Sequence, residues 1–174
     1  MDRTALAREI DSVCRLQGTF TVRSGQVVSE YFDKYLFEAR PVLLRRVAQA
    51  MVPLLPADTE LVGGLELGGV PIATMVSSLT GLPALFVRKQ AKTYGTCRLA
   101  EGGEVAGTKI TLIEDVITTG GAVRNATEAL RELGATVEVV ICAIDRSGGG
   151  ETGPLADIGV ETRSVLTKAD LDRS

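Results

Sequence analysis

The chain has 174 residues, of which 45% are hydrophobic and 24% charged, enough apolar material for one globular domain with a full core and too much for a disordered chain. Nineteen basic against 22 acidic residues give a formal charge of -3, so no general electrostatic footprint for nucleic acid or an anionic membrane is present, and any anion site must be local. Histidine is absent, which excludes imidazole as a general base, as the partner of a serine or cysteine nucleophile, and as a metal ligand.

Asp2 to Leu16 reads as a helix with Leu6, Ile10, Val13 and Cys14 on one face, ending near Gly18. Phe20 to Val22 and Val27 to Phe32 read as extended segments joined by the turn Arg23-Ser24-Gly25. Pro41 opens a second helix, Val42 to Met51, which Pro53 and Pro56 stop. From Leu61 short apolar strands alternate with helices: Leu61 to Leu65, Val70 to Leu79, Ala84 to Val87, Ile110 to Ile113, Val123 to Leu133 and Val137 to Ile144. Such alternation predicts an α/β fold, a mostly parallel central sheet flanked by helices, with ligands at the carboxyl ends of its strands. Residues Gln90 to Gly107 are the longest polar stretch, too long for an ordinary connection and expected to act as a mobile lid.

The most informative stretch is Thr111 to Val123, Thr-Leu-Ile-Glu-Asp-Val-Ile-Thr-Thr-Gly-Gly-Ala-Val. Two adjacent acids, Glu114 and Asp115, end an apolar run, and a turn of small residues then opens a helix carrying Val123, Ala126, Leu130 and Leu133 on its apolar face and stopped by Gly134. Free amides and the positive end of the helix dipole converge on Thr118, Thr119, Gly120 and Gly121, which suits a phosphate monoester. The acids would repel a bare phosphate but accept hydrogen bonds from sugar hydroxyls at roughly 1.5–3 kcal/mol each, against about 0.3–1 kcal/mol from a helix dipole. Together they describe a ribose phosphate. No Gly-Lys-Ser/Thr triplet and no dinucleotide glycine spacing occur, which disfavours an ATPase or a dehydrogenase.

Two further constellations surround it. Glu66-Leu67-Gly68-Gly69-Val70 forms a second strand-to-helix turn whose backbone could take another anion. Val87-Arg88-Lys89-Gln90-Ala91-Lys92 gathers three cations at the entrance to the long polar stretch, able to meet charge developing on a leaving group. By themselves the turn is ordinary punctuation and the basic run a solvated face.

The strand, paired acids and Thr/Gly turn resemble the phosphoribosyl diphosphate motif of type I phosphoribosyltransferases, and over about Ala5 to Arg146 the chain resembles the orotate phosphoribosyltransferases. The resemblance implies one domain, 1–174, with a base-binding hood in 1–35 and a mobile active-site loop in 90–107 that reaches the partner of a homodimer. It implies that Glu114, Asp115, Val116, Ile117, Thr118, Thr119, Gly120, Gly121 and Ala122, with the diphosphate loop Glu66, Leu67 and Gly68, bind phosphoribosyl diphosphate. Arg88, Lys89 and Lys92 match the basic motif that serves the diphosphate catalytically. Phe20 to Gly25 and Ser29 to Asp33 match the base-binding segment, and Ile144-Asp145-Arg146 a later strand end, so Arg23, Phe32, Thr118 and Arg146 are expected on orotate, a flat ring whose carboxylate suits an arginine fork.

Arg23 stands where many relatives have lysine, and Tyr94 where they often have histidine, which leaves Lys92 as the expected proton donor to diphosphate. Magnesium is expected as cofactor, held by the substrate rather than by a protein cage. The alternatives are a phosphoribosyltransferase for another base and a non-catalytic sensor of phosphoribosyl diphosphate on the same fold. Cys14, Cys97 and Cys142 lack any Cys-x-x-Cys pair and are expected as reduced thiols. The start Met1-Asp2-Arg3-Thr4 has no apolar signal core, and no stretch approaches the roughly 20 apolar residues of a membrane span, so a cytoplasmic location is expected.

Overall fold

A computed structural model describes residues 2–22, 24–90, 99–148 and 153–173. Helix α1, Arg3–Cys14, is capped by Asp2, whose side chain accepts from the Thr4 and Ala5 amides, and buries Leu6, Ala7, Ile10 and Cys14. It ends earlier than its sequence suggests, because strand β1, Arg15–Thr21, begins at the next residue and pairs antiparallel with β2, Val27–Phe32. Gly18, expected as a helix stop, lies inside that hairpin. A one-turn helix α2, Tyr35–Glu38, follows, then α3, Pro41–Met51, which Pro41 opens as expected.

The main sheet comprises β3, Leu61–Leu65; β4, Ala84–Val87; β5, Ala100–Glu101; β6, Ile110–Ile117; β7, Val139–Asp145; and β8, Glu161–Thr167, in the order β5-β4-β3-β6-β7-β8. All neighbours are parallel except the edge pair β4 and β5. Helix α4, Gly69–Thr80, links β3 to β4, α5, Gly121–Glu132, links β6 to β7, and a five-residue α6, Lys168–Asp172, closes the described chain. Strand β6 is longer than the four residues expected, so Glu114 and Asp115 sit within it rather than at its end. Leu133 lies beyond α5 and is exposed, not part of its buried stripe.

Alternation along the strands divides the apolar side chains between two cores. Val139, Ile141 and Ala143 of β7 join the core that contains α1, α3 and α4, whereas Val140 and Cys142 join the one beneath α5. Strand β3 is flanked by β4 on one side and β6 on the other, so the chain changes direction across the sheet at β3 and β6. Their carboxyl ends therefore open the crevice where such sheets take ligands. The turn 66–68 leaves β3 and the turn 118–120 leaves β6, one on each side of it.

Candidate active site

Thr118 and Thr119 are exposed in the turn between β6 and α5, and Gly120 takes φ +76°, a left-handed conformation that a side chain would strain. A cavity of about 180 Å³ lies over this turn, lined by residues 116–123 and by Glu114. Its position at the start of a three-turn helix gives a phosphate both free amides and the dipole. The turn after β3 presses against the acids instead of lying open beside them. A Cβ on Gly69 would stand 2.3 Å from the Ile113 carbonyl oxygen, and one on Gly68 only 1.8 Å from Asp115 Oδ2, so close packing on β6 is one reason for both glycines. The Glu66-Leu67 peptide is cis.

The basic run reaches this turn. The Glu66 amide donates to the Val87 carbonyl at 2.8 Å, and the Lys89 amide donates to Glu66 Oε2 at 3.1 Å. Arg88 and Lys89 line a cavity of about 250 Å³ with Glu66, Ala122 and Asn125, which brings the turn after β3, the first turns of α5 and these cations together. Arg88 Nε is buried with no hydrogen-bond partner among the described residues. Arg23, Lys92 and Tyr94, with residues 91–98 of the expected lid, lie outside the described residues, and the later part of that lid contains β5, paired with β4 in the sheet rather than free to move as a loop.

The base-side residues also converge. The Arg146 guanidinium carbon lies 5.4 Å from the centroid of the Phe32 ring, a cation–π geometry, while the Arg146 amide donates to the Ile117 carbonyl next to Thr118. Phe32 is partly buried and also packs on the main core. Residues far apart in sequence thus form a wall beside the turn 118–120.

The acids are more enclosed than expected. Glu114 is 7% exposed and Asp115 fully buried. Glu114 Oε1 accepts the Asp115 amide at 2.9 Å, and Asp115 Oδ1 accepts the Val116 amide at 2.5 Å. Asp115 Oδ2 lies 2.6 Å from Lys34 Nζ. Lys34, at the start of α2, and Glu38, at its end, are functional candidates that sequence reasoning missed; the only local signal is Asp33, whose carboxylate accepts the Tyr35 amide and starts the turn.

Burial, then the charge of Asp115, pushes the Glu114 carboxyl up to about 9, so it is a neutral acid at pH 7. Burial acts the same way on Asp115, but hydrogen bonds from Glu114 and Lys34 outweigh it and hold that carboxyl below its ordinary value. Burial also disfavours the Lys34 ammonium, and the bond to Asp115 reverses the balance and raises it. One carboxylate and one ammonium therefore remain. Among the described residues no three Asp, Glu or Cys side chains are placed to hold a metal ion together.

A small-residue turn at the switch point, paired acids before it and cations across the crevice, on this sheet, belong to the type I phosphoribosyltransferase fold. No protein-family model matches the chain. An orotate phosphoribosyltransferase from a Nocardioides species is 73% identical over 167 residues, 96% of this chain and 93% of that protein. The Mycobacterium tuberculosis H37Rv orotate phosphoribosyltransferase in complex with Fe(III) dicitrate shares 34% identity at a TM-score of 0.86, over 98% of this chain and 99% of that one. Its complex with 5-phospho-alpha-D-ribosyl 1-diphosphate shares 31% identity at a TM-score of 0.80, over 99% of both. The chain belongs to the orotate phosphoribosyltransferase family.

Proposed function

We propose that the chain transfers the phosphoribosyl group of 5-phosphoribosyl 1-diphosphate to orotate, giving orotidine 5'-monophosphate and diphosphate in pyrimidine biosynthesis, and that the residues converging at the switch point carry the reaction. The observation that carries this reading is the convergence of Phe32 and Arg146 with the Thr118 turn, beside the acid pair and on the same sheet edge. A flat anionic ring suits that wall, the carboxylate meeting the arginine and the ring face the phenyl group. Arg23 and Thr118 complete the base site in this reading.

The 5'-phosphate sits on the amides of the turn 118–122, with Val116 and Ile117 forming the floor, and the ribose hydroxyls donate to Glu114 and Asp115. Glu66, Leu67 and Gly68 offer their backbone to the diphosphate. As the bond from the anomeric carbon to the diphosphate oxygen breaks, positive charge spreads over the ring and negative charge grows on the leaving group; Arg88, Lys89 and Lys92 stabilise the latter, with Lys92 supplying a proton. The anionic ring nitrogen of orotate then forms the new bond, and no covalent enzyme intermediate is needed. Magnesium, held by diphosphate, sugar hydroxyls and water, supplies neutralisation of the leaving group.

Closure of the part of the expected lid that precedes β5, residues 90–99, across a homodimer excludes water from the activated sugar. Exposed Leu67 and Phe86 beside the diphosphate turn provide an apolar face for a second copy. No helix among the described residues is long and apolar enough to cross a membrane, and Cys14 and Cys142 are free buried thiols, which suits a cytoplasmic location. Mixing the chain with magnesium, phosphoribosyl diphosphate and orotate should deplete the orotate absorbance, and omission of any one component should abolish the change. Depletion of a different free base but not of orotate would refute the base assignment.

A further inference from the structure

Glu38 ends a helix of a single turn, yet it is only 8% exposed, because Phe37 beside it is fully buried and draws the turn onto the body of the protein. Its Oε1 is buried without a hydrogen-bond partner among the described residues. That oxygen and Asp115 Oδ2 converge beneath the Gly68 turn, where one point, the site of a Cβ on Gly68, is 2.6 Å from the first and 1.8 Å from the second. Two buried carboxyl oxygens so placed cannot both belong to ionised groups unless a cation balances each. Lys34 is the cation in contact, and it already pairs with Asp115.

We propose that Glu38 is a positioning residue for the ribose site: as a neutral carboxylic acid it donates its proton to Asp115, and with Lys34 it fixes the carboxylate that receives the sugar. The inference rests on the assignment of the acid pair to ribose. The proton belongs on Glu38 and not on Asp115, because Asp115 has both the Lys34 ammonium and the Val116 amide to hold its charge. Burial, then the charge of Asp115, pushes the Glu38 carboxyl up to about 8. The other groups facing it are Lys34 and Asp33 beside its own helix, Glu114 behind Asp115, and on α1 the Cys14 thiol, whose own surroundings include Glu38, Asp33 and Arg40. Of these only Lys34 and Arg40 are cationic, and Lys34 is committed.

Loss of the Glu38 proton would set a second negative charge beside Asp115 in competition for Lys34, and the sugar acceptor would move. Affinity for phosphoribosyl diphosphate should therefore fall about tenfold between about pH 7 and pH 9, beyond any change due to the ligand's own phosphates. Glu38→Gln keeps a neutral donor of the same shape that does not titrate. It should bind phosphoribosyl diphosphate comparably to wild type at pH 7, keep the wild-type melting temperature, and show a smaller alkaline fall, the remainder belonging to Glu114. Glu38→Ala should bind about tenfold more weakly already at pH 7.

The test is calorimetric titration of the full chain and both variants with phosphoribosyl diphosphate and magnesium across that range, together with infrared spectra of the ligand-free protein. A protonated-carboxyl C=O band at pH 7 that weakens in Glu38→Gln supports the inference without reference to substrate. An alkaline fall retained unchanged in Glu38→Gln, or no difference between the infrared spectra, overturns it. Wild-type protein that binds no phosphoribosyl diphosphate at any pH overturns the ribose assignment itself, and the two failures are distinguishable.

Discussion

Gly68→Ala isolates the contact between the diphosphate turn and the acids. Gly68 has φ -68° and ψ -28°, an ordinary right-handed conformation, so alanine brings no backbone strain and the whole effect is steric. The added methyl would lie 1.8 Å from Asp115 Oδ2 and 2.6 Å from Glu38 Oε1, well inside ordinary van der Waals contact, which begins at 3.4 Å. A carboxylate held by Lys34 and the Val116 amide cannot move that far without losing one of them. A hydrogen bond to a charged group contributes about 1.5–3 kcal/mol, and over-packing costs about 1–3 kcal/mol. We expect phosphoribosyl diphosphate affinity to fall roughly 10- to 150-fold, at a tenfold change per 1.4 kcal/mol. Isothermal titration with magnesium present measures the affinity, and a thermal melt separates local loss from unfolding. An alanine variant that binds within twofold of wild type and melts at the same temperature would show that the turn does not cover the acids.

Lys92→Ala should lower kcat on the order of a hundredfold while leaving the melting temperature unchanged, since its contribution belongs to the transition state; an unaltered kcat rejects the proton-donor role. Thr127 is fully buried in α5 with its hydroxyl unpaired among the described residues, so Thr127→Val should be neutral or stabilising by up to about 1 kcal/mol. Chemical denaturation would contradict this by showing a loss of that size. Burial pushes the Cys14 thiol up to about 12 and raises that of Cys142 as well, so neither should react with a disulfide reagent in the native protein. Of the three cysteines in the sequence, native protein should expose one fast-reacting thiol at most, and denaturant all three. Two fast thiols in the native state would contradict the burial.

The parts of this fold that show in the sequence are those whose local pattern agrees with their final environment. The run from Ile110 to Ile113 is buried on both faces and reads as an apolar strand, and the later turn leads into a helix whose Val123, Ala126 and Leu130 recur at helical spacing. Strand β8 escaped notice because it is an edge strand of Glu, Thr, Arg and Ser before Val165 and Leu166, and only those two are buried. Helix α2 is too short for periodicity, and Phe37 in the core, rather than intrinsic propensity, holds it. Lys34 and Glu38 carry little local signal, because the group they face, Asp115, lies far along the chain. Only the resemblance sets Phe32 and Arg146 side by side; separately they have the character of a core aromatic and a surface cation.

Phe32 and Lys34 are two residues apart, the first beneath Arg146 and the second on Asp115. One short stretch of backbone thus touches the wall that would receive the ring and the acid that would receive the sugar. A shift of that stretch on occupation of either compartment would be felt in the other, and thermodynamic linkage would make the influence mutual: whatever factor the first ligand applied to the second's dissociation constant, the second would return.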